Sequence, residues 1–182
     1  MIKSLKQVIK DVFLMNLNKF TDERGSFSVV WNYEEIKKST GIRFKPIQLN
    51  QSISDKNVIR GMHYQDYPVA QSKLITVVQG SIIDVVIDIR KRSETFKQMF
   101  CTTLSDENNR ALFVPQGFAH GFMALEENTI VNYLVDEEFV ETHQASIHPF
   151  SFENKIWPIN KSEAIISKRD LEGLDFKTFQ GI

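Results

Sequence analysis

Hydrophobic and polar positions along this chain fall into short runs rather than long helical stripes. The runs 27–31, 58–65, 73–79, 81–89, 99–104, 111–114, 118–125 and 129–135 are rich in β-branched and aromatic residues, with Gly, Asn, Asp and Pro between them. Eight such runs predict an all-β barrel or sandwich. Helical patterning is confined to 33–38, where Glu precedes Lys, and to a short piece after Ser167 near the C-terminus. Neither is long enough to organise a helical core. The chain shows no internal repeat, low-complexity tract or linker, so a single domain over 1–182 is expected.

Two runs can be read face by face, because strand side chains alternate with period two. In 73–79, Lys73, Ile75 and Val77 share one face and Leu74, Thr76 and Val78 the other. Both faces are largely apolar, as in a strand covered on both sides, and an amine pointing inward there would need a reason. In 81–89, Ile83, Val85, Ile87 and Ile89 form an apolar face, while Asp84 and Asp88 point the other way with Ile82 and Val86. A solvated or hydrogen-bonded sheet face is the expectation for the two aspartates.

Composition narrows the classes. A chain of 182 residues, 42% hydrophobic, can bury one full core, and two domains would be cramped. With 22 basic and 23 acidic residues the net charge is −1, so no global field draws the protein to nucleic acid or to an anionic membrane. No apolar run approaches the roughly 20 residues of a spanning helix. The start is broken by Lys3, Lys6, Lys10 and Asp11 instead of holding a signal-peptide centre, so a cytoplasmic protein is expected. The single cysteine, Cys101, excludes an internal disulfide and a thiolate-cluster metal site, and is expected to be a buried apolar filler.

The stretch Pro115-Gln116-Gly117-Phe118-Ala119-His120 resembles the second metal motif of the cupin superfamily, where the histidine is a ligand. The first motif needs two histidines one residue apart followed by an acid, but His63 is followed by Tyr64 and Gln65. His143 and His148 lie in a polar stretch and are expected at the surface. No metal is therefore expected. The barrel reading stands, and function must come from the residues lining its pocket.

Those residues carry a further likeness. Asp22-Glu23-Arg24-Gly25-Ser26-Phe27, Gln48-Leu49-Asn50-Gln51-Ser52, Val58-Ile59-Arg60-Gly61-Met62-His63-Tyr64-Gln65, Lys73-Leu74-Ile75, Gly117-Phe118-Ala119-His120-Gly121-Phe122, Trp157-Pro158 and Ser167-Lys168-Arg169-Asp170 follow one another in order and spacing. Together they resemble the signature blocks of the dTDP-4-dehydrorhamnose 3,5-epimerase family, from about Phe20 to Asp170. The resemblance implies a cupin-type double-stranded β-helix, or jelly roll, with short peripheral helices mainly near the C-terminus. It implies a cofactor-independent, homodimeric isomerase that inverts C3 and C5 of a nucleotide-linked 4-keto-6-deoxyhexose in deoxysugar and surface-polysaccharide synthesis.

A ketone at C4 acidifies the hydrogens on C3 and C5, so inversion needs a base on one face, an acid on the other, and a group to hold the enolate oxygen. The resemblance gives His63 the role of base, Asp170 that of its carboxylate partner, Lys73 that of enolate partner and Tyr133 that of proton donor. Each also has a purely structural reading. His63 could be a satisfied core histidine, Asp170 the third residue of a capping box with Ser167, Tyr133 a wall aromatic, and Lys73 a snorkelling strand-end lysine.

For binding, the resemblance puts Arg24, Arg60 and Arg169 near the diphosphate and sugar, and Gln48, Asn50 and His120 at positions that orient the ligand. Phe27 and Phe139 would stack on the base, each being core on the simpler reading. This chain has Val29 and Leu49 where the family usually has acidic residues, and Gln144 where it has a nucleotide-contacting glutamate. These departures leave open the nucleotide, the sugar, and whether one carbon or both are inverted. A C3-only epimerase or a 3,4-ketoisomerase acting on a dTDP-, CDP- or GDP-linked 4-keto sugar is the alternative within enzymes. A non-catalytic sugar-nucleotide-binding cupin is the alternative outside them.

Overall fold

The computed structural model describes residues 2–153 and 155–182; Met1 and Asn154 lie outside the described residues. The chain runs through strands β1 (Ile2–Ile9), β2 (Val12–Leu17), β3 (Phe20–Asp22) and β4 (Gly25–Phe27) to helix α1 (Tyr33–Thr40). Strands β5 (Gln48–Ser54), β6 (Val58–Gln65), β7 (Lys73–Gln79), β8 (Ser81–Asp88), β9 (Met99–Ser105) and β10 (Arg110–Val114) follow. The last elements are β11 (Phe118–Ala124), β12 (Thr129–Val135), β13 (Gln144–Ser146), β14 (Ile165–Ile166) and helix α2 (Lys168–Leu171). One sheet has the order β1-β2-β10-β7-β12-β5 and the other β13-β6-β11-β8-β9, with β14 added beside β6. The two sheets form the expected cupin-type jelly roll.

Alternation places the core. Ile75, Val77, Leu112 and Val131 of the first sheet meet Ile82, Val86, Leu104 and Phe122 of the second, with Tyr133 packed against them. The opposite side of β7 carries Leu74, which joins Phe13, Phe44, Phe113 and Ile36 in a second layer under α1. That helix starts at Asn32, whose side chain accepts the Glu35 N–H, and stops at Gly41, where a φ of +76° suits glycine. The outer face of the second sheet, with Ile59, Val85 and Ile87, is closed by Trp157 and Phe179 from the C-terminal segment. Chain-end residues thus cover the strand that carries His63.

Several expectations are corrected. Of the run 27–31 only Phe27 lies in a strand, the last residue of β4. Asp84 and Asp88 are fully buried, not on a solvated face, because their side of β8 is the barrel interior beside Ile82 and Val86. Asp88 is held there by two guanidinium hydrogen bonds from Arg90, at 2.9 and 2.8 Å, and by the hydroxyls of Ser93 and Thr95, both at 2.6 Å. Burial alone would raise its carboxyl, but these donors outweigh burial and hold it below the ordinary carboxylate range. Cys101 is exposed, since it lies on β9, the edge of its sheet. His143 and His148 are half-buried, and His148 accepts the Phe150 N–H at 3.0 Å.

Candidate active site

The site begins where β6 and β11 approach unusually closely. A Cβ on Gly61 would stand 2.5 Å from the Cα of Gly121, and Gly61 itself has φ +120°, a conformation open to glycine. The close pairing sets His63 directly across from His120 in the ladder. It also exposes the Gly61 N–H to Asp170 Oδ2 at 3.3 Å.

Asp170 comes from α2, more than a hundred residues further on. Ser167 caps this short helix, its hydroxyl accepting the Asp170 N–H at 3.2 Å. The Asp170 carboxylate reaches into the barrel wall, where Oδ1 lies 2.5 Å from His63 Nε2 and 3.3 Å from the Ser146 hydroxyl that donates to it. The spacing of Ser167 and Asp170 therefore serves the cap while the carboxylate serves His63. Burial works to raise the Asp170 carboxyl, but its hydrogen bond and charge interaction with His63, with the Gly61 N–H and Ser167, hold it below the ordinary range. An ionised carboxylate only accepts, so the proton of a neutral imidazole sits on Nε2 and Nδ1 carries the basic lone pair.

Two further groups converge on the inner face of the first sheet. Lys73 begins β7 half-buried, on the same side as Ile75 and Val77. Burial pushes its ammonium down to about 8, against the opposing pull of the Asp84 carboxylate. Tyr133 on β12 presents its ring edge-on to His120, with centroids 6.3 Å apart, and its hydroxyl lies 3.1 Å from that of Ser52. Burial drives the phenol above its ordinary range, and Ser52 is the strongest opposing influence. Below them His120 Nε2 meets Asp84 Oδ2 at 2.8 Å, a fully buried pair. Among the described residues no hydrogen-bond partner reaches Asp84 Oδ1.

The residues expected to bind ligand divide into two groups. Gln48 and Asn50 are half-buried on the inward side of β5, where the Gln48 amide donates to Asn50 Oδ1 at 2.5 Å. Arg60 donates to the Ser54 hydroxyl at 3.0 Å and to the Ile53 carbonyl at 3.1 Å. Gln144, half-buried on β13, pairs with Gln65 across the ladder. Leu49 alternates outward and is 59% exposed, so this departure from the family pattern does not enter the barrel.

By contrast, Arg24 and Phe27 sit on the β3–β4 hairpin, which pairs with neither large sheet. Arg24 is bound to Asp22 at 2.5 Å, and Phe27 is 66% exposed, not core. Phe139 is likewise exposed, and Arg169 projects from α2 into solvent. Two residues escaped the sequence reading. Buried Gln65 donates to the Val69 and Glu138 carbonyls and accepts the Val140 N–H, clamping the segment with Phe139 to the strand of His63. Ser52 is the other. Among the described residues no three His, Cys, Asp or Glu side chains are grouped to hold a metal ion. No helix among them is long and apolar enough to cross a membrane.

A jelly roll whose inner wall carries a carboxylate-held imidazole, an amine and a phenol defines a cupin-type protein with an acid–base site. The family model for dTDP-4-dehydrorhamnose 3,5-epimerase matches residues 6–178. An epimerase of that name from Methanothermobacter thermautotrophicus is 37% identical over 169 residues, covering 91% of this chain and 90% of the relative. The crystal structure of the Sulfolobus tokodaii enzyme superposes with a TM-score of 0.90 at 37% identity, covering 100% of this chain and 99% of that one. That of the Legionella pneumophila enzyme, in complex with dTDP-4-keto-L-rhamnose, gives 0.89 at 30% identity, covering 96% and 93%. This chain belongs to the dTDP-4-dehydrorhamnose 3,5-epimerase family.

Proposed function

We propose that this chain, as one domain over 1–182, is a cofactor-independent cytoplasmic epimerase. It inverts C3 and C5 of dTDP-4-dehydro-6-deoxyglucose to give dTDP-4-dehydrorhamnose. The observation that carries the reading is the His63–Asp170 pair at 2.5 Å, on the sheet that faces the one carrying Lys73 and Tyr133.

In this reading His63 Nδ1 takes the proton from the carbon next to the C4 ketone, and the imidazolium that forms is stabilised by Asp170. Electron density moves to the C4 oxygen, where the Lys73 ammonium compensates the negative charge; a donor of this kind is worth about 3–4 kcal/mol. Tyr133 returns a proton to the carbon from the opposite side. The same sequence at the second α-carbon completes the conversion. Arg60, Gln48, Asn50, His120 and Gln144 hold the sugar nucleotide, with guanidinium groups suited to the diphosphate.

Two of the remaining ligand residues, Arg24 and Phe27, suit a homodimer. Phe20, Phe27, Val30, Leu49 and Val78 are 52, 66, 41, 59 and 51% exposed, an apolar burden that a second copy of the chain would cover. Arg24 and Phe27 would then act at the joint between two copies. The reading is tested by incubating the protein with dTDP-, CDP- and GDP-linked 4-keto-6-deoxyglucose and determining product configuration by NMR. Inversion at both carbons of the dTDP sugar supports it. Tight binding of the dTDP sugar without conversion of any of the three would replace it with a non-catalytic binding protein.

A further inference from the structure

The inner face of β5 is lined by polar side chains, Gln48, Asn50, Ser52 and Ser54, while Leu49 and Ile53 point outward. Three of these four bond to one another or to Arg60. Ser52 instead reaches diagonally across the ladder. It pairs in register with Val131, and its hydroxyl meets that of Tyr133, two residues along β12, at 3.1 Å. β5 is the edge of its sheet, so Ser52 has a strand neighbour on one side only.

We propose that Ser52 is a positioning residue for the proton donor: it holds the Tyr133 oxygen in place and donates a hydrogen bond to the phenolate that proton delivery creates. This rests on the epimerase reading above. When the Tyr133 O–H points at the substrate carbon, the phenol oxygen can only accept from Ser52, so the Ser52 O–H must be the donor. As the proton passes to carbon, the C–H bond forms from the enolate electron pair and the O–H bond of Tyr133 breaks. The negative charge then lies on an oxygen that burial makes a poor place for it. The Ser52 bond becomes charge-assisted at that moment and contributes most in the transition state. From further off the Asp84 carboxylate opposes this charge and the Arg60 guanidinium favours it less strongly, which leaves Ser52 as the main support.

The test compares the parent with Ser52→Ala and Ser52→Thr, on the dTDP-linked 4-keto-6-deoxyglucose in deuterated water, measuring isotope uptake at C3 and product configuration together. Removing one hydrogen bond to a charged group predicts a fall in the inversion rate of about 10- to 100-fold in Ser52→Ala. KM should be little changed, and exchange by His63 should persist, so that the ratio of exchange to inversion rises by a similar factor. Ser52→Thr keeps the hydroxyl on a β-compatible side chain and should restore the parental ratio. An unchanged ratio in Ser52→Ala, including equal depression of both rates, overturns the role of Ser52, as does the same raised ratio in Ser52→Thr. A parent that neither exchanges nor inverts overturns the epimerase reading itself, and the inference with it.

Discussion

Asp170→Asn probes the carboxylate–imidazole pair with minimal change of shape. The Asn side chain has nearly the same volume, its carbonyl can still accept from His63 Nε2, and the backbone N–H of residue 170 still donates to the Ser167 hydroxyl. What disappears is the negative charge, together with the long Gly61 N–H bond to Oδ2 at 3.3 Å. Asp170 is only 4% exposed and His63 27%, so the pair is shielded from water on the carboxylate side. Unit charges about 4 Å apart at an effective dielectric constant near 20 attract by about 4 kcal/mol. Partial exposure of His63 trims this, and the pair is charged in the transition state but not in the resting neutral-imidazole form. The loss therefore falls on turnover, about 10²- to 10³-fold, with KM little altered. Steady-state kinetics on the dTDP-linked 4-keto sugar, with circular dichroism to verify the fold, measures it. A folded Asp170→Asn protein within about threefold of parental kcat would refute the assignment of Asp170 to the imidazolium.

Other expectations follow from the same geometry. Lys73 must be charged to compensate an enolate and its ammonium is pushed down to about 8, so its contribution to turnover should be complete well below that pH and decline as pH rises through it. Lys73→Arg should remove this alkaline decline, and Lys73→Met should cost about 10²- to 10³-fold at pH 7; a pH profile of kcat/KM for the three proteins decides. Asp88→Ala leaves the Arg90 guanidinium without its buried partner and should cost about 3 kcal/mol, roughly 6–12 °C in Tm for a chain of this size. Because the Asp88 carboxyl is depressed, its contribution is present above about pH 4 and is lost as pH falls through the folded-state value. The gap in Tm between parent and variant should narrow in acid, and a gap independent of pH would contradict this.

Most of the barrel was legible because its central strands obey simple alternation. The runs 58–65, 73–79 and 129–135 coincide with β6, β7 and β12. Of the strands that escaped, β1 and β5 are sheet edges, whereas β2 lies between β1 and β10. β1 carries register shifts near both ends, and Ile2, Leu5 and Val8 fall every third position with Ile9 directly after them, which hides a period of two. In β5 the apolar residues face outward and the polar ones inward, the reverse of a core strand, because the inward face belongs to the site. On β8 the aspartates are hydrogen-bonded, one of the two expectations, but buried and not solvated: the Asp84 partner His120 lies 36 residues away, whereas the Asp88 partners lie within seven. The pairing of His63 with Asp170 spans 107 residues, and only likeness to a family pointed to it. Gln65 and Ser52 act through contacts that no local pattern marks.

In the proposed reaction His63 and Tyr133 move protons on opposite sides of the substrate. Tyr133→Phe removes the hydroxyl and leaves the ring to pack against His120 and Phe122. In deuterated water, this variant and the parent are given the dTDP-linked 4-keto-6-deoxyglucose, and label at C3 is read together with product configuration. Inversion with label is expected in the parent, and in Tyr133→Phe continued uptake of label with little inverted product, since His63 can return a solvent deuteron to the face it came from. Inversion by Tyr133→Phe at a rate near the parent's would contradict it.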